Sequence, residues 1–425
     1  MTPPNFWSPE FLRAHIRRTL AFYAPVALDE SGGFFHFFKD DGTVYDRRTR
    51  HLVSSTRFVF NHAMAFRAFG DPEDQRRAAH ALAYVRKQHR QPHGGYAWLL
   101  DHASGEVLDG TQHCYGLAFV LLAHAQAALA GVSGAREGIQ ETFELMERRF
   151  WEPRHGLYAD EADAQWQLSP YRGQNANMHA TEALLTAFEA TGERRYLERA
   201  ARVAQNICLR QAQRCGGSSS PSGLASGLEP PRGADGRAAA GLGAAIWEHY
   251  DADWQPDWDY NRHDPANLFR PWSYQVGHLT EWAKLLLILE RHAPQPWLLP
   301  RAVELFDEAW AKGWDRQHGG LVYGFDRAGQ VCDADKYFWV QAESFAAAAL
   351  LHLRSGKARF KLAYEKLWAY AWQHFVDHEH GAWYRILSPD NRKLSDEKSP
   401  AGKTDYHTMG ACHEVLLGLA LAGRA

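Results

Sequence analysis

The chain has 425 residues, of which 45% are hydrophobic and 13% aromatic, enough to bury a sizeable core. Its formal net charge is −3, which excludes the strongly basic balance of a polyanion-binding protein, so no nucleic-acid partner is expected. Five scattered cysteines without CxxC spacing, no apolar leader and no run of about 18 apolar residues read as a soluble cytoplasmic protein with reduced thiols and no membrane partner.

A Gly-aromatic turn recurs along the chain: Gly32-Gly33-Phe34-Phe35, His93-Gly94-Gly95-Tyr96, His155-Gly156-Leu157-Tyr158, His318-Gly319-Gly320-Leu321 and His380-Gly381-Ala382-Trp383-Tyr384. Gly32 to Gly94, Gly94 to Gly156 and Gly319 to Gly381 are each 62 residues apart. Gly156 to Gly319 spans 163, which is two periods and 39 more, so one turn and an insertion share that gap. Apolar periodicity between the turns predicts twelve helices: 9–24, 54–70, 73–89, 111–130, 134–150, 176–191, 194–210, 275–292, 297–313, 338–355, 358–376 and 405–422. Ser8-Pro9 and Asp71-Pro72 are start signals. The helices at 54, 111, 176, 275, 338 and 405 are oily, whereas those at 73, 134, 194, 297 and 358 carry charge on one face. Six buried helices inside six amphipathic ones make an (α/α)6 barrel, a single catalytic domain over 1–425; an open solenoid of the same pairs is the alternative. The Gly/Ser/Pro-rich stretch 211–245 breaks the pattern and reads as a surface excursion that contains the missing turn, at Gly216-Gly217 or Gly241–Gly243.

The oily helices all open on polar side chains. Arg57 lies in one first turn, His113 and Tyr115 in the next, then Asn175, Asn177, His179 and Glu182, then His278 and Glu281, then Trp339, Gln341 and Glu343, and last Asp405, Tyr406 and His407. If these helices run parallel, the openings meet at one end. His278 and Glu281 are three apart and share a helical face, so Glu281 is placed to orient that ring. Nucleophile-elbow, phosphate-loop and dinucleotide patterns are missing, as is any HxH or HExxH spacing for a metal. Two chemistries fit the remainder. Two imidazoles can act as acid and base on a sugar carbon while Arg, Asn and Glu hold hydroxyls. Alternatively, two carboxylates such as Glu281 and Glu343 can hydrolyse a glycoside, which needs no histidine pair. A helical-repeat binding scaffold is the third class.

Four segments, FRPWSYQVGHLTEWAKLLL, NANMHATEALL, KYFWVQAESFAAAALL and TDYHTMGACHEVL, resemble the N-acylglucosamine 2-epimerase superfamily, with GHxxEW and YHxxxxxxEV the most specific parts. The resemblance covers nearly the whole chain and departs from it at 211–245. It implies an (α/α)6 barrel and catalysis on the open-chain sugar with no metal and no cofactor. By resemblance His278 and His407 are the catalytic pair, while Arg57, Asn175, His179 and Glu281 contact the sugar. His113, Tyr115, Arg270, Trp339 and Glu343 line the rest of the substrate pocket. The wording around residues 342–351 and 405–415 is similar to the mannose isomerase branch, so the expected reaction is D-mannose to D-fructose through an enediolate, with a monosaccharide as partner and a monomer or homodimer as the working form. Glucose–mannose or disaccharide 2-epimerisation and sulfoquinovose isomerisation use the same machinery.

Overall fold

The structure is a computed structural model that describes residues 4–24, 26–212, 245–265, 267 and 269–423. It is predominantly helical. Among the described residues the α-helices are α1 Pro9–Tyr23, α2 Leu52–Phe69, α3 Pro72–Tyr84, α4 Cys114–Leu129, α5 Ala135–Arg149, α6 Gln174–Thr191, α7 Arg194–Gln205, α8 Val276–His292, α9 Leu298–Gly313, α10 Phe338–Ser355, α11 Ala358–His374 and α12 Tyr406–Ala422. The expected starts act as caps. Ser8 accepts the Phe11 amide ahead of Pro9, and Asp71 accepts the Glu73 amide ahead of Pro72. The turn expected at Gly216-Gly217 or Gly241–Gly243 lies outside the described residues, as does the whole excursion at 211–245 except 211, 212 and 245.

Two boundaries differ from expectation for a physical reason. Helix α4 begins at Cys114 rather than 111, because Gln112–His113 are extended and pair with Glu161–Ala162. The segment after α3 finishes as a wider π turn, Val85–His89, which leaves the buried His89 ring between the Ala97 carbonyl (2.9 Å) and the Ser55 hydroxyl (2.9 Å).

The even-numbered helices pack in sequence, α2 on α4, α4 on α6, α6 on α8, α8 on α10, α10 on α12, and α12 returns to α2. The inner ring therefore closes. Each inner helix carries the following odd helix on its outside, and α1 completes the set by packing on α12. Burial follows this plan. In α8 every residue from Val276 to Leu289 is buried, whereas outer α7 buries one stripe, Tyr196, Leu197, Ala200, Val203 and Ala204. The first helix is fastened by aromatic contacts: Phe6 stacks on Trp368 at 5.5 Å, and the Trp383 indole donates to His15 at 2.8 Å. No helix among the described residues is long and apolar enough to cross a membrane.

The residues just before the inner helices are extended and pair antiparallel with the next repeat. Thr49–His51 pair with Leu99–Asp101, Arg172–Gly173 with His249–Tyr250, Tyr274–Gln275 with Gly324–Phe325, and Lys336–Tyr337 with Ile386–Leu387. Phe37–Lys39 with Glu397–Ser399 closes the set. The Gly-aromatic turns are tight hairpins in which Gly94 (φ +87°) and Gly319 (φ +74°) occupy the left-handed region that glycine tolerates. Side-chain amides clasp these turns. Asn177 bonds both the Tyr158 amide and carbonyl at 2.9 Å, and Gln341 does the same to Leu321 at 2.9 and 2.8 Å. Asn177 and Gln341, read from sequence among the pocket-mouth residues, are thus structural.

Several histidines besides His278 and His407 are buried. Burial lowers the pKa of His15 and His89 to about 4, of His51 and His124 to about 3, and of His36 well below its ordinary value. Each is neutral in the fold but would take a proton in the unfolded chain below about pH 6.5. The unfolded state then binds more protons, so stability is lost as pH falls from about 6.5 towards 4, by up to about 1.4 kcal/mol per pH unit for each ring. Thermal unfolding at a series of pH values is expected to show a melting temperature that drops steeply between pH 7 and 5; a flat profile would contradict it.

Candidate active site

The first turns of the six inner helices meet in a ring, as their shared orientation requires. Arg57 of α2 is buried and donates to the Gly402 carbonyl, and it lies 3.4 Å from both the Tyr115 hydroxyl of α4 and His407 Nε2 of α12. Its guanidinium packs over the Phe119 and Tyr406 rings, at 4.6 and 4.7 Å. The Tyr115 ring stands 5.1 Å from His179 of α6. Gln174 of α6 meets Trp282 and His278 of α8. The ring closes through Trp339 of α10, whose indole is 5.1 Å from His278 and 5.6 Å from His407. Both imidazoles thus lean on one indole. Gly277 makes this possible, because a Cβ there would run into the Trp339 ring.

Each of these two histidines is locked by a carboxylate. His278 Nδ1 is 2.9 Å from Glu248 Oε2, and the Gln174 amide donates to the same oxygen at 2.8 Å, while the Trp282 indole donates to Gln174 at 2.7 Å. His407 Nδ1 is 2.7 Å from Glu343 Oε1, and the Lys284 ammonium reaches the other Glu343 oxygen at 2.5 Å. An Nδ1 proton donated to a carboxylate leaves Nε2 as the unprotonated nitrogen. Burial, helped by the charges of Arg57 and Lys403, lowers the His407 pKa well below its usual value, so that ring is neutral.

Glu281 does not orient His278, contrary to the expectation from their spacing. The carboxylate that holds His278 is Glu248, on the connection leading into α8. Glu281 is fully buried, and no hydrogen-bond donor among the described residues reaches either oxygen. Burial and, next, the Glu343 charge push its pKa well above the carboxylate range, so it keeps its proton. Lys284 stands 4.0 Å from it. Burial would lower that ammonium's pKa, but the acidic groups around it, Glu343 first, outweigh burial and raise it. His179 pairs with Glu182 at 3.3 Å and is lowered to about 4 by burial, while Tyr406 donates its hydroxyl to Glu182. One donor atom each from His179, Glu182 and Glu281 lie within 4.8 Å of one another, as do donors from Glu281, Glu343 and His407.

The remaining expected residues divide between floor and rim. Asn175 turns a buried side-chain oxygen that no donor among the described residues satisfies. His113 and Arg270, both partly exposed, meet at one oxygen of Glu161, with His113 Nδ1 3.5 Å from it and Arg270 at 2.5 Å. Arg270 also stacks on Tyr171 at 4.0 Å. No contact joins Arg270 to either dyad among the described residues. Four residues that the sequence reading did not include among its site residues belong here: Glu248, Gln174, Lys284 and Lys403. The last adjoins Gly402, and burial followed by the Arg57 and Arg385 charges lowers its ammonium to about 7. Asp405, expected at the opening, is instead structural, receiving the Tyr23 hydroxyl at 2.6 Å and Arg385 at 2.9 Å.

The sequence pattern of the N-acylglucosamine 2-epimerase (GlcNAc 2-epimerase) family matches residues 33–411. A D-mannose isomerase of Marinomonas mediterranea is 52% identical over 422 residues, covering 99% of this chain and all of that protein. A crystal structure of a D-mannose isomerase superposes with a TM-score of 0.89 at 52% identity, over 98% of this chain and 100% of the other. A cellobiose 2-epimerase from Spirochaeta thermophila shares the fold at a TM-score of 0.80 and 23% identity, over 98% and 99% of the two chains. With most of its length matched in this way, the chain belongs to the N-acylglucosamine 2-epimerase family.

Proposed function

We propose that this sugar isomerase/epimerase interconverts D-mannose and D-fructose, in an (α/α)6 barrel, by proton transfer between two imidazoles and the open-chain sugar. The observation that carries the mechanism is the pair of histidine–carboxylate dyads, His278–Glu248 and His407–Glu343, both held against the Trp339 indole. The substrate is supported by the D-mannose isomerases at 52% identity over the full chain.

The chemistry follows from what each group can do. With Nδ1–H committed to a carboxylate, the Nε2 lone pair of one ring takes the C2 proton. The electrons of that C–H bond form the C1–C2 double bond, and the aldehyde oxygen becomes the enediolate oxygen. Arg57, placed 3.4 Å from His407 Nε2, supplies positive charge beside it, and the neutral Glu281 carboxyl offers an O–H donor in a dry pocket. Passage of the O2 proton to O1, with return of the abstracted proton to C1, gives the ketose; protonation at C2 by the opposite ring, when that ring enters carrying an Nε2 proton, gives the 2-epimer and leaves the abstracted proton on the first ring. The carboxylate-pair hydrolase fits less well. Each oxygen of Glu343 already accepts a strong donor, His407 on one and Lys284 on the other, which commits this carboxylate to holding the His407 ring.

Replacing either ring, in His278→Ala or His407→Ala, is expected to lower turnover about 10²–10⁴-fold with native helical circular dichroism. Activity within a few fold of the parent in both variants would defeat the assignment. Glu248→Gln replaces the charged acceptor that fixes the His278 tautomer with a neutral amide that can also present a donor, so kcat is expected to fall on the order of 10²-fold while the KM for mannose changes little. An unchanged kcat would show that Glu248 does not position the ring. NMR of D-mannose with the enzyme in D₂O distinguishes the outcomes: accumulating fructose identifies the isomerase, glucose deuterated at C2 identifies the epimerase, and no change in the sugar rejects both.

A further inference from the structure

We propose that His179, Glu182 and Glu281 form a site for a transition-metal dication of the Zn²⁺ class, and that a metal bound there inhibits the enzyme. Donor atoms from the three residues lie within 4.8 Å of one another. Around Zn²⁺, with metal–ligand lengths of about 2.0–2.2 Å, neighbouring donors sit about 3.4 Å apart, so side-chain rotations of roughly an ångström close the site. One imidazole nitrogen and two carboxylates make a borderline donor set that suits Zn²⁺, Co²⁺ or Cu²⁺, whereas Ca²⁺ requires six to eight oxygens. Glu281 is the independent sign of a ligand: fully buried and aimed into the cluster, it has no hydrogen-bond donor on either oxygen among the described residues. The Tyr406 hydroxyl donates to Glu182 and so supplies the outer hydrogen bond that steadies a ligating carboxylate.

The neighbouring triad Glu281, Glu343 and His407 has equal spacing but is already satisfied. Glu343 accepts His407 Nδ1–H on one oxygen and Lys284 on the other, and that ammonium repels a dication. Lys284 also stands 4.0 Å from Glu281, which makes the proposed site weak and exchangeable. A metal on His179 and Glu281 occupies the floor of the sugar pocket, so metal and sugar exclude each other. This competition rests on the proposed function, whereas metal binding does not.

The test uses the full-length enzyme and Co²⁺, whose visible absorption reports coordination without any turnover. The expected result is absorption that saturates at one Co²⁺ per chain, is abolished by Zn²⁺ or EDTA, and is lost in His179→Gln and in Glu281→Gln. It should persist in His407→Asn, which breaks the other triad, and in Cys332→Ser, which removes the exposed thiol among the described residues. Circular dichroism establishes that each variant is folded, and Glu182→Gln replaces either one that is not. Absence of the absorption, its persistence in the folded His179 and Glu281 variants, or its loss in His407→Asn or Cys332→Ser overturns the site. In the mannose assay, Zn²⁺ at its inhibition constant should double the apparent KM and leave kcat unchanged. Inhibition that lowers kcat alone overturns the competitive half. Because the Co²⁺ signal is read without sugar, loss of the metal site and failure of the isomerase reading are separate results.

Discussion

Short antiparallel pairings ahead of the inner helices hold the site together. Each is only two or three residues long, yet each ties the entrance of one inner helix to the hairpin of the next repeat, and Phe37–Lys39 with Glu397–Ser399 closes the circuit. A slip of one residue in such a pair reverses which face every side chain occupies. The register therefore decides whether His113, Gln174, His278 and Trp339 point inward. Amides from Asn177 and Gln341 reinforce it by bonding backbone groups of the Gly-aromatic turns that the short pairs cannot reach.

On that frame the two imidazoles are given the same preparation by different means. His278 is held by Glu248, which arrives from the connection rather than from a helix, and Gln174 and Trp282 fix that carboxylate in turn. His407 is held by Glu343 within the ring, and the counter-charge comes from Lys284 in the buried body of α8. A carboxylate taken from water at this depth is costly unless it is paired. The Lys284–Glu343 contact therefore keeps Glu343 in place as the acceptor that sets the His407 tautomer.

Much of this was legible in the sequence. The 62-residue spacing of the glycine turns and the contrast between oily and charged helices located all twelve helices among the described residues, because burial and amphipathicity act within a single turn of chain. Polar residues at helix openings singled out Arg57, His179, His278, Trp339, Glu343 and His407, which the fold brings into one cluster. Contacts between distant segments were not legible. Glu248 lies 30 residues before His278 in the irregular connection that follows the excursion, and only the acidic, aromatic wording WEHYDADW hinted at it. Lys284 had a clearer signal, a lone cation inside AKLLLILE, where a wholly buried helix tolerates charge only with a partner. Spacing misled at Glu281: residues three apart share a helical face, but which neighbour each side chain meets is decided by the adjoining helices.

Glu281 shows why the floor of the pocket is polar at all. Three glutamates, Glu182, Glu281 and Glu343, converge there with one lysine, so the charges cannot all be balanced in a dry space. Lys284 commits to Glu343 at 2.5 Å, and Glu182 is stabilised by His179 and Tyr406, which leaves Glu281 as the group that must take a proton. A protonated carboxyl with no donor reaching it is poorly satisfied in the unliganded protein, at a cost of about 1–3 kcal/mol for a buried polar group. Hydrogen bonds to an incoming hydroxyl remove that deficit. Under the proposed function, that deficit is what a sugar hydroxyl would relieve, whereas a floor of well-packed apolar side chains would be more stable but would offer a polyol nothing.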